Sequence, residues 1–440
     1  MKKMSTLESI MEKVESGNLN IRVSSEEKKE IIQMASDKKF LKFLVDQYSQ
    51  SQDFRITAQN QARSLLQGYD ESDQGHPMFI AKQLINASAQ ESLNKKYINI
   101  ITDNIPVCYW MKQITGVGEM IAAYLYSAFD VSEGRYNTDF LSYAGLNDNN
   151  IPWLGKEKAA AVTAEAKKYQ KEILDKTDAL LSEIFGDKKN KILSDLKKVA
   201  KGADDLVVSY DDITEVISKH GINVWDVSDT ISDNINDIWE YIQVSVYPNY
   251  CTDTLIQRAA LLTKRKPYLI KKGTINGYNK KKNKTKYISV EDLTSFLAKP
   301  PYNKALKEKT FVIARSFVMN SKRGSLYGEI IAKRKEEELF KNERREYRDQ
   351  AERILQTKNI TDKATLETLR DGKLTLKHID TRARRYGVKL FISHVYEAMY
   401  YDKFGKEPPK TYVIEHMGHH DYIAPEVDYH TIIDEFKARS

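Results

Sequence analysis

The segment Ile114-Thr115-Gly116-Val117-Gly118-Glu119-Met120-Ile121-Ala122-Ala123 constrains this chain more than any other. A helical run ends before Gly116, a Gly-X-Gly turn follows, and a helix of small residues begins at once. The pattern is that of a helix-hairpin-helix. Two glycines let the backbone turn sharply and come close to a partner, because neither carries a Cβ. The second helix then starts with unpaired N–H groups pointing outward. Such groups suit a nucleic-acid phosphate, although an ordinary tight turn between packed helices has the same sequence. Pro106 is placed to open the first helix, where its missing N–H would be unpaired anyway. Trp110 and Met111 face inward, and Ala122 and Ala123 let the helices approach. Asn137-Thr138-Asp139 caps a further segment, Phe140–Leu146, which closes a module spanning 104–150.

The rest of the chain reads as helices, so the expected class is mainly α, multi-helical, with a small β-hairpin in an inserted region. Only 19 Gly and 10 Pro occur in 440 residues, too few for a loop-rich or many-stranded protein. The N-terminal region, 1–103, has helix starts at Ser5-Thr6-Leu7-Glu8 and Ser24-Ser25-Glu26-Glu27. Longer helices follow at about 37–67 and 78–102. The inserted region, 151–300, opens with a helix over 156–185. Two more helices lie within 204–242, separated near His220-Gly221. The C-terminal region, 301–440, holds helices at 303–320, 325–359, a short one capped by Thr361, and 375–404. Cys108 and Cys251 are the only cysteines, so neither a disulfide framework nor a cysteine zinc site is expected. No apolar run is long enough for a membrane span, and the charged N-terminus does not read as a signal peptide. A soluble, cytoplasmic protein is expected.

The net charge of +7 is a mild bias toward anionic partners. Its distribution says more. Lys264, Arg265, Lys266, Lys271, Lys272, Lys280, Lys281, Lys282, Lys284 and Lys286 fall between 264 and 286 with no acid among them. Tyr268, Tyr278 and Tyr287 interleave with or flank them, and Asn276-Gly277 is a hairpin-turn signal. A basic hairpin between two helices resembles a winged nucleic-acid-binding element, while a solvated basic loop has the same composition. On the 375–404 helix, His378, Arg382, Arg385 and Lys389 share a face opposite Ile379, Ala383, Tyr386 and Leu390. That face suits a phosphate backbone or plain solvent. In the tail, Glu415, His416, His419, His420 and Asp421 lie close together, but no helix aligns them and no further ligand group stands out. No metal site and no cofactor are expected.

Ile114–Leu146 resembles the helix-hairpin-helix C-terminal domain of insertion-sequence transposases of the 110/116/902 group. The resemblance rests on Gly116-Val117-Gly118 and Phe140-Leu141-Ser142-Tyr143-Ala144-Gly145-Leu146. It resumes over 301–335, in Asn303-Lys304-Ala305-Leu306-Lys307 and Ala314-Arg315-Ser316-Phe317, and continues into Tyr386-Gly387-Val388-Lys389-Leu390-Phe391. It covers about half the chain, as in a phage or mobile-element branch with an insertion in the middle. The resemblance implies DNA as partner, with a structured RNA as a further one; a second copy of the chain is a separate expected partner. It also implies a serine that links covalently to DNA, and Ser316 falls near that position. Arg315, Lys322 and Arg323 are the cations beside it. A helix serine bonding its own backbone has the same sequence context. The family's RuvC-like nuclease half has no counterpart here, since 1–103 shows no alternating strands.

The reading is therefore a DNA-binding protein that contacts duplex phosphates and carries little base specificity. Its contacts are Gly116, Val117, Gly118, Lys264, Arg265, Lys266, Lys271, Lys272, Lys280, Lys281, Lys282, Arg315, Arg382, Arg385 and Lys389. An active transposase or recombinase using Ser316 is the alternative, which predicts a covalent protein–DNA adduct. A non-enzymatic helical interaction protein is the third, which predicts no salt-dependent duplex binding.

Overall fold

The computed structural model describes residues 2–15, 21–67, 76–132, 134, 136–147, 153–202, 208–279, 287–409 and 422–439. The chain forms two compact units, Met1–Asn147 with Asn303–Ser440, and Asp148–Tyr302. The protein is mainly helical, and no strand forms among the described residues. The first unit begins with α1 (Lys2–Glu15), α2 (Ser25–Gln33), α3 (Lys38–Gln67), α4 (His76–Asp103), α5 (Pro106–Gln113), α6 (Glu119–Ala128) and α7 (Asn137–Tyr143). The second unit holds α8 (Gly155–Phe185), α9 (Lys189–Gly202), α10 (Tyr210–Lys219), α11 (Val224–Asp233), α12 (Ile235–Val246), α13 (Asp253–Thr263), α14 (Pro267–Asn279) and α15 (Val290–Leu297). The chain then returns to the first unit with α16 (Lys304–Asn320), α17 (Leu326–Glu343), α18 (Arg348–Thr357), α19 (Lys363–Arg370), α20 (Leu376–Phe404) and α21 (Tyr429–Arg439). No helix among the described residues is long and apolar enough to cross a membrane.

Local chemistry sets many of the helix starts. Ser24 and Ser289 form capping boxes with Glu27 and Asp292, and Asn303 and Thr375 each accept a first-turn N–H. Each such cap stabilises its helix by about 1 kcal/mol.

The centre of the first unit is the C-terminal half of α20. Every residue from Phe391 to Met399 is buried, which makes this stretch a core helix rather than a surface one. Phe317 of α16, Tyr327 of α17 and Phe391 of α20 pack ring on ring, with centroids 4.9–5.2 Å apart. Trp110 and Met111 of α5 join the same core, fully buried. The helices close tightly because Gly387 lacks a side chain: a Cβ there would stand 2.4 Å from Ile331 Cγ1.

Four expectations need correction. The packed stripe on α20 holds at Ile379 and Ala383 but not at Tyr386, which is exposed, or at Leu390, which is partly buried. A helix that becomes buried all round has no single stripe. The expected helix over 325–359 is two helices, broken where Arg345 takes the left-handed conformation (φ 58°). Buried Asn342 explains the break: its side chain donates to the Leu374 carbonyl at 3.0 Å and accepts from the Leu374 N–H at 2.8 Å. That long-range pair fixes the end of α17.

The third and fourth corrections are in the second unit. Asn276-Gly277 lie inside α14 rather than in a β-hairpin turn. Pro267 opens the helix, and Ile270 and Thr274, one turn apart, are buried. Ile270 joins a core with Leu293 and Leu297 of α15. A buried helical face outweighs a two-residue turn signal. The region 204–242 also contains α10, α11 and the greater part of α12 instead of two helices, and α9 precedes them.

Candidate nucleic-acid interface

The site is built from the α5–α6 turn upward. Pro106 stands at the start of α5, and Ile114 ends it with extended backbone. The Val117 N–H donates to the Ile114 carbonyl at 2.9 Å, which closes the turn. Gly116 has φ +99°, a region L side chains rarely adopt. Gly118, the N-cap of α6, has φ −101° and ψ 177°, which any residue can take. No atom lies within 4 Å of where a Gly118 Cβ would stand. So Gly116 is required by the turn, while Gly118 leaves the end of α6 open. No side chain caps that end. Glu119, the first residue of α6, pairs with Lys95 at 3.2 Å. Val117 is buried and anchors the turn to the core.

α16 lies against this turn. The Ser316 hydroxyl donates to the Gly116 carbonyl at 2.6 Å, and Asn320 Nδ2 donates to the Ser316 carbonyl at 2.9 Å. A Gly116 Cβ would stand 3.3 Å from Phe317 Cδ1 and 3.3 Å from Ser316 Oγ. Ser316 thus commits its proton to the turn, neither to its own helix nor to a base. Arg315, the preceding residue, is exposed, as are Lys322 and Arg323 in the short 3-10 turn that follows α16. None of these three forms an ion pair among the described residues. The outer face of α16 also carries Phe311, 56% exposed, and Met319, 68% exposed. Between α16 and α20 a groove is lined by Gly145, Leu146, Lys307, Phe311, Arg384 and Arg385.

A residue that sequence reasoning missed completes the turn. The Glu426 carboxylate accepts from the Thr115 N–H at 2.7 Å and from the Leu326 N–H at 2.9 Å. The next residue, Val427, accepts from Trp110 Nε1 at 2.8 Å. Nothing in the sequence near Glu426 signals this, because its partners lie 311 and 100 positions away.

The remaining basic residues divide by what they touch. Arg382 does not face solvent as a free cation. Its Nε donates to Glu338 at 2.6 Å, its Nη1 to Gln350 at 3.2 Å, and its guanidinium lies 4.5 Å from the Tyr347 ring centroid. Glu338 is buried and also holds Arg334 at 2.8 Å. Burial alone would raise the Glu338 pKa, but the hydrogen bonds from Arg382 and Tyr347 outweigh it and hold the carboxyl below its usual range. His378, on the same face, is held low by burial and by Arg382. Arg385 and Lys389 are half-buried.

Lys264, Arg265, Lys266, Lys271 and Lys272 belong to the second unit. Arg265 is 8% exposed, and burial pushes its guanidinium pKa down. Its Nη2 donates to the Lys299 carbonyl at 3.4 Å. Lys271 pairs with Asp253 at 2.8 Å, Lys266 lies over the Tyr268 ring, and Lys264 ends α13 in the left-handed conformation. Arg265 is thus a structural residue of this unit, not a surface contact. Lys280, Lys281, Lys282, Lys284 and Lys286 lie outside the described residues, as do Glu415, His416, His419, His420 and Asp421.

No protein-family model, curated protein or solved structure matches the chain.

Proposed function

We propose that α5, the 114–118 turn and α6 form a helix-hairpin-helix, and that the first unit binds nucleic-acid duplex through backbone phosphates. The observation that carries this reading is the Ser316–Gly116 hydrogen bond. It fastens the hairpin turn to α16, so that an open helix N-terminus at Gly118 and the unpaired cations Arg315, Lys322 and Arg323 belong to one assembly. Amides position a phosphate and cations supply the salt-dependent attraction. In this reading the chain is a transposase-related binding protein rather than a recombinase. Ser316 positions the hairpin, and its hydroxyl proton is already spent on Gly116.

A second reading, a protein-docking helix, draws on the exposed Phe311 and Met319 of α16. Titration of salt against affinity for a random-sequence duplex separates the two. Duplex binding should weaken steeply with salt, and replacing Arg315, Lys322 and Arg323 together by Gln should lower the log–log slope by about 2–3. A flat salt response in the native protein, or an unchanged slope in the triple variant, counts against the phosphate face.

A further inference from the structure

The Glu426 clamp is more than a loop contact. Two backbone N–H groups from separate elements, Thr115 in the hairpin turn and Leu326 at the start of α17, converge on the two oxygens of one carboxylate. α17 runs from Leu326 to Glu343, so the positive end of its dipole adds to the field at that point. A phosphodiester also presents two anionic oxygens on one atom, and charge-assisted bonds from backbone N–H groups are the ones it makes at helix starts. The carboxylate is delivered by a strap, residues 422–428, which packs Val427 against the core and is tied to the unit by three further bonds. His394 Nε2 meets the Ile423 carbonyl at 2.8 Å, Trp110 Nε1 donates to Val427, and the Tyr422 hydroxyl donates to Glu397 at 3.0 Å.

We propose that the Thr115 and Leu326 amides are a phosphate-oxygen site of the duplex-binding face, and that Glu426 fills it in the free protein as an internal competitor. The inference rests on the phosphate-face reading above and adds its regulation. Duplex must displace a carboxylate of its own charge, and the strap lifts as it does so. A site that an internal competitor fills binds with its intrinsic affinity multiplied by the fraction of time the site stands free.

The test compares the full chain with Glu426→Gln and with Glu435→Gln, which changes net charge equally but lies on the exposed face of α21. Anisotropy of a labelled random duplex at low salt reads affinity, and hydrogen exchange of peptides covering 422–428 reads the strap. Glu426→Gln keeps the side-chain shape but loses the charge and one acceptor. It should tighten duplex binding about tenfold, whereas Glu435→Gln should change it less than about twofold. Adding duplex to the native protein should speed exchange in 422–428. If the native protein binds duplex but Glu426→Gln binds no tighter, or Glu435→Gln tightens it as much, the competitor role is overturned. Slower exchange in the strap on adding duplex overturns it too. If neither the native protein nor Glu426→Gln binds duplex, the phosphate-face reading fails first and the inference falls with it. A Glu426→Gln protein that has lost its fold shows broad faster exchange without duplex. In that case Glu426→Asp, which keeps the charge but draws it back from the amides, takes its place and should also bind more tightly.

Discussion

The two glycines of the α5–α6 turn should respond to the same substitution in opposite ways. Gly116→Ala places a Cβ at φ +99°, which costs about 1–2 kcal/mol for an L residue. The new methyl also meets Phe317 Cδ1 and Ser316 Oγ at 3.3 Å and Asn320 Nδ2 at 3.4 Å. Phe317 is locked among core rings, and the other two groups are held in hydrogen bonds, so making room costs roughly another 1–2 kcal/mol. The sum is about 2–4 kcal/mol. In a unit of this size each kcal/mol lowers Tm by about 2–4 °C, so a fall of the order of 10 °C follows. Gly118→Ala meets no atom within 4 Å and keeps an ordinary backbone conformation. It should cost less than about 1 kcal/mol. Its methyl stands at the open end of α6, however, and should weaken duplex binding about five- to tenfold by denying one charge-assisted contact. Thermal melting by circular dichroism and anisotropy with a labelled duplex read the two effects. Gly118→Ala melting as low as Gly116→Ala, or Gly116→Ala melting with the native protein, refutes this assignment of the two glycines.

Two further predictions concern buried acids. Glu338→Ala leaves Arg382 without its carboxylate and Arg334 with Glu337 alone, and should destabilise the protein by about 3 kcal/mol in urea denaturation at pH 7. Because the folded Glu338 carboxyl lies below its ordinary 4.5, that stabilisation is complete above pH 4.5 and is lost as pH falls through the folded value, so the gap between variant and native should shrink at pH 3. Glu397 is the reverse case: burial pushes its carboxyl up to about 7, so its contribution is complete below pH 4.5 and lost as pH rises through 7, an effect of roughly 3 kcal/mol. Burial holds His394 down at about 4, so its contribution is present above 6.5 and lost on acidification over nearly the same window. The two act in opposite directions in the native chain. Stability from pH 7 to 4.5 should therefore fall in Glu397→Gln and rise in His394→Gln, and two parallel curves would refute the assignment.

Much of the helical scaffold was legible because its signals are local. Ser24, Ser289, Asn303 and Thr375 cap helices through hydrogen bonds to N–H groups only a few residues on. Gly116 announced its turn because only glycine enters that backbone region at no cost. What failed was set by distant partners. The break after α17 depends on Asn342 meeting Leu374, and α14 persists through Asn276-Gly277 because Ile270 buries against α15. The site was legible in part for the same reason. The turn and Arg315 could be read from their neighbours in sequence. The Ser316–Gly116 bond spans 200 positions and the Glu426–Thr115 bond 311, and no periodicity encodes either.

Charge is where sequence and structure diverge most, and magnitudes decide which cations matter. A helical wheel gives Arg382 and Arg315 equal weight. Arg382 faces a buried carboxylate at 2.6 Å. To reach a phosphate it must break with buried Glu338, which keeps only Arg334 and Tyr347, and breaking a buried pair costs up to about 3–5 kcal/mol. A hydrogen bond to a charged phosphate returns only about 1.5–3 kcal/mol. The exchange is unfavourable, so Arg382 stays in the scaffold, where it joins α20 to α17. Arg265 is excluded on the same grounds, since its guanidinium is buried and bonded to a main-chain carbonyl. Among the described residues Arg315, Lys322 and Arg323 have no ion pair to surrender on meeting an anion, so no broken pair offsets the contact. If the first unit binds phosphate, the cations to count are those with no charged partner among the described residues, and they stand beside the residues that hold Gly116.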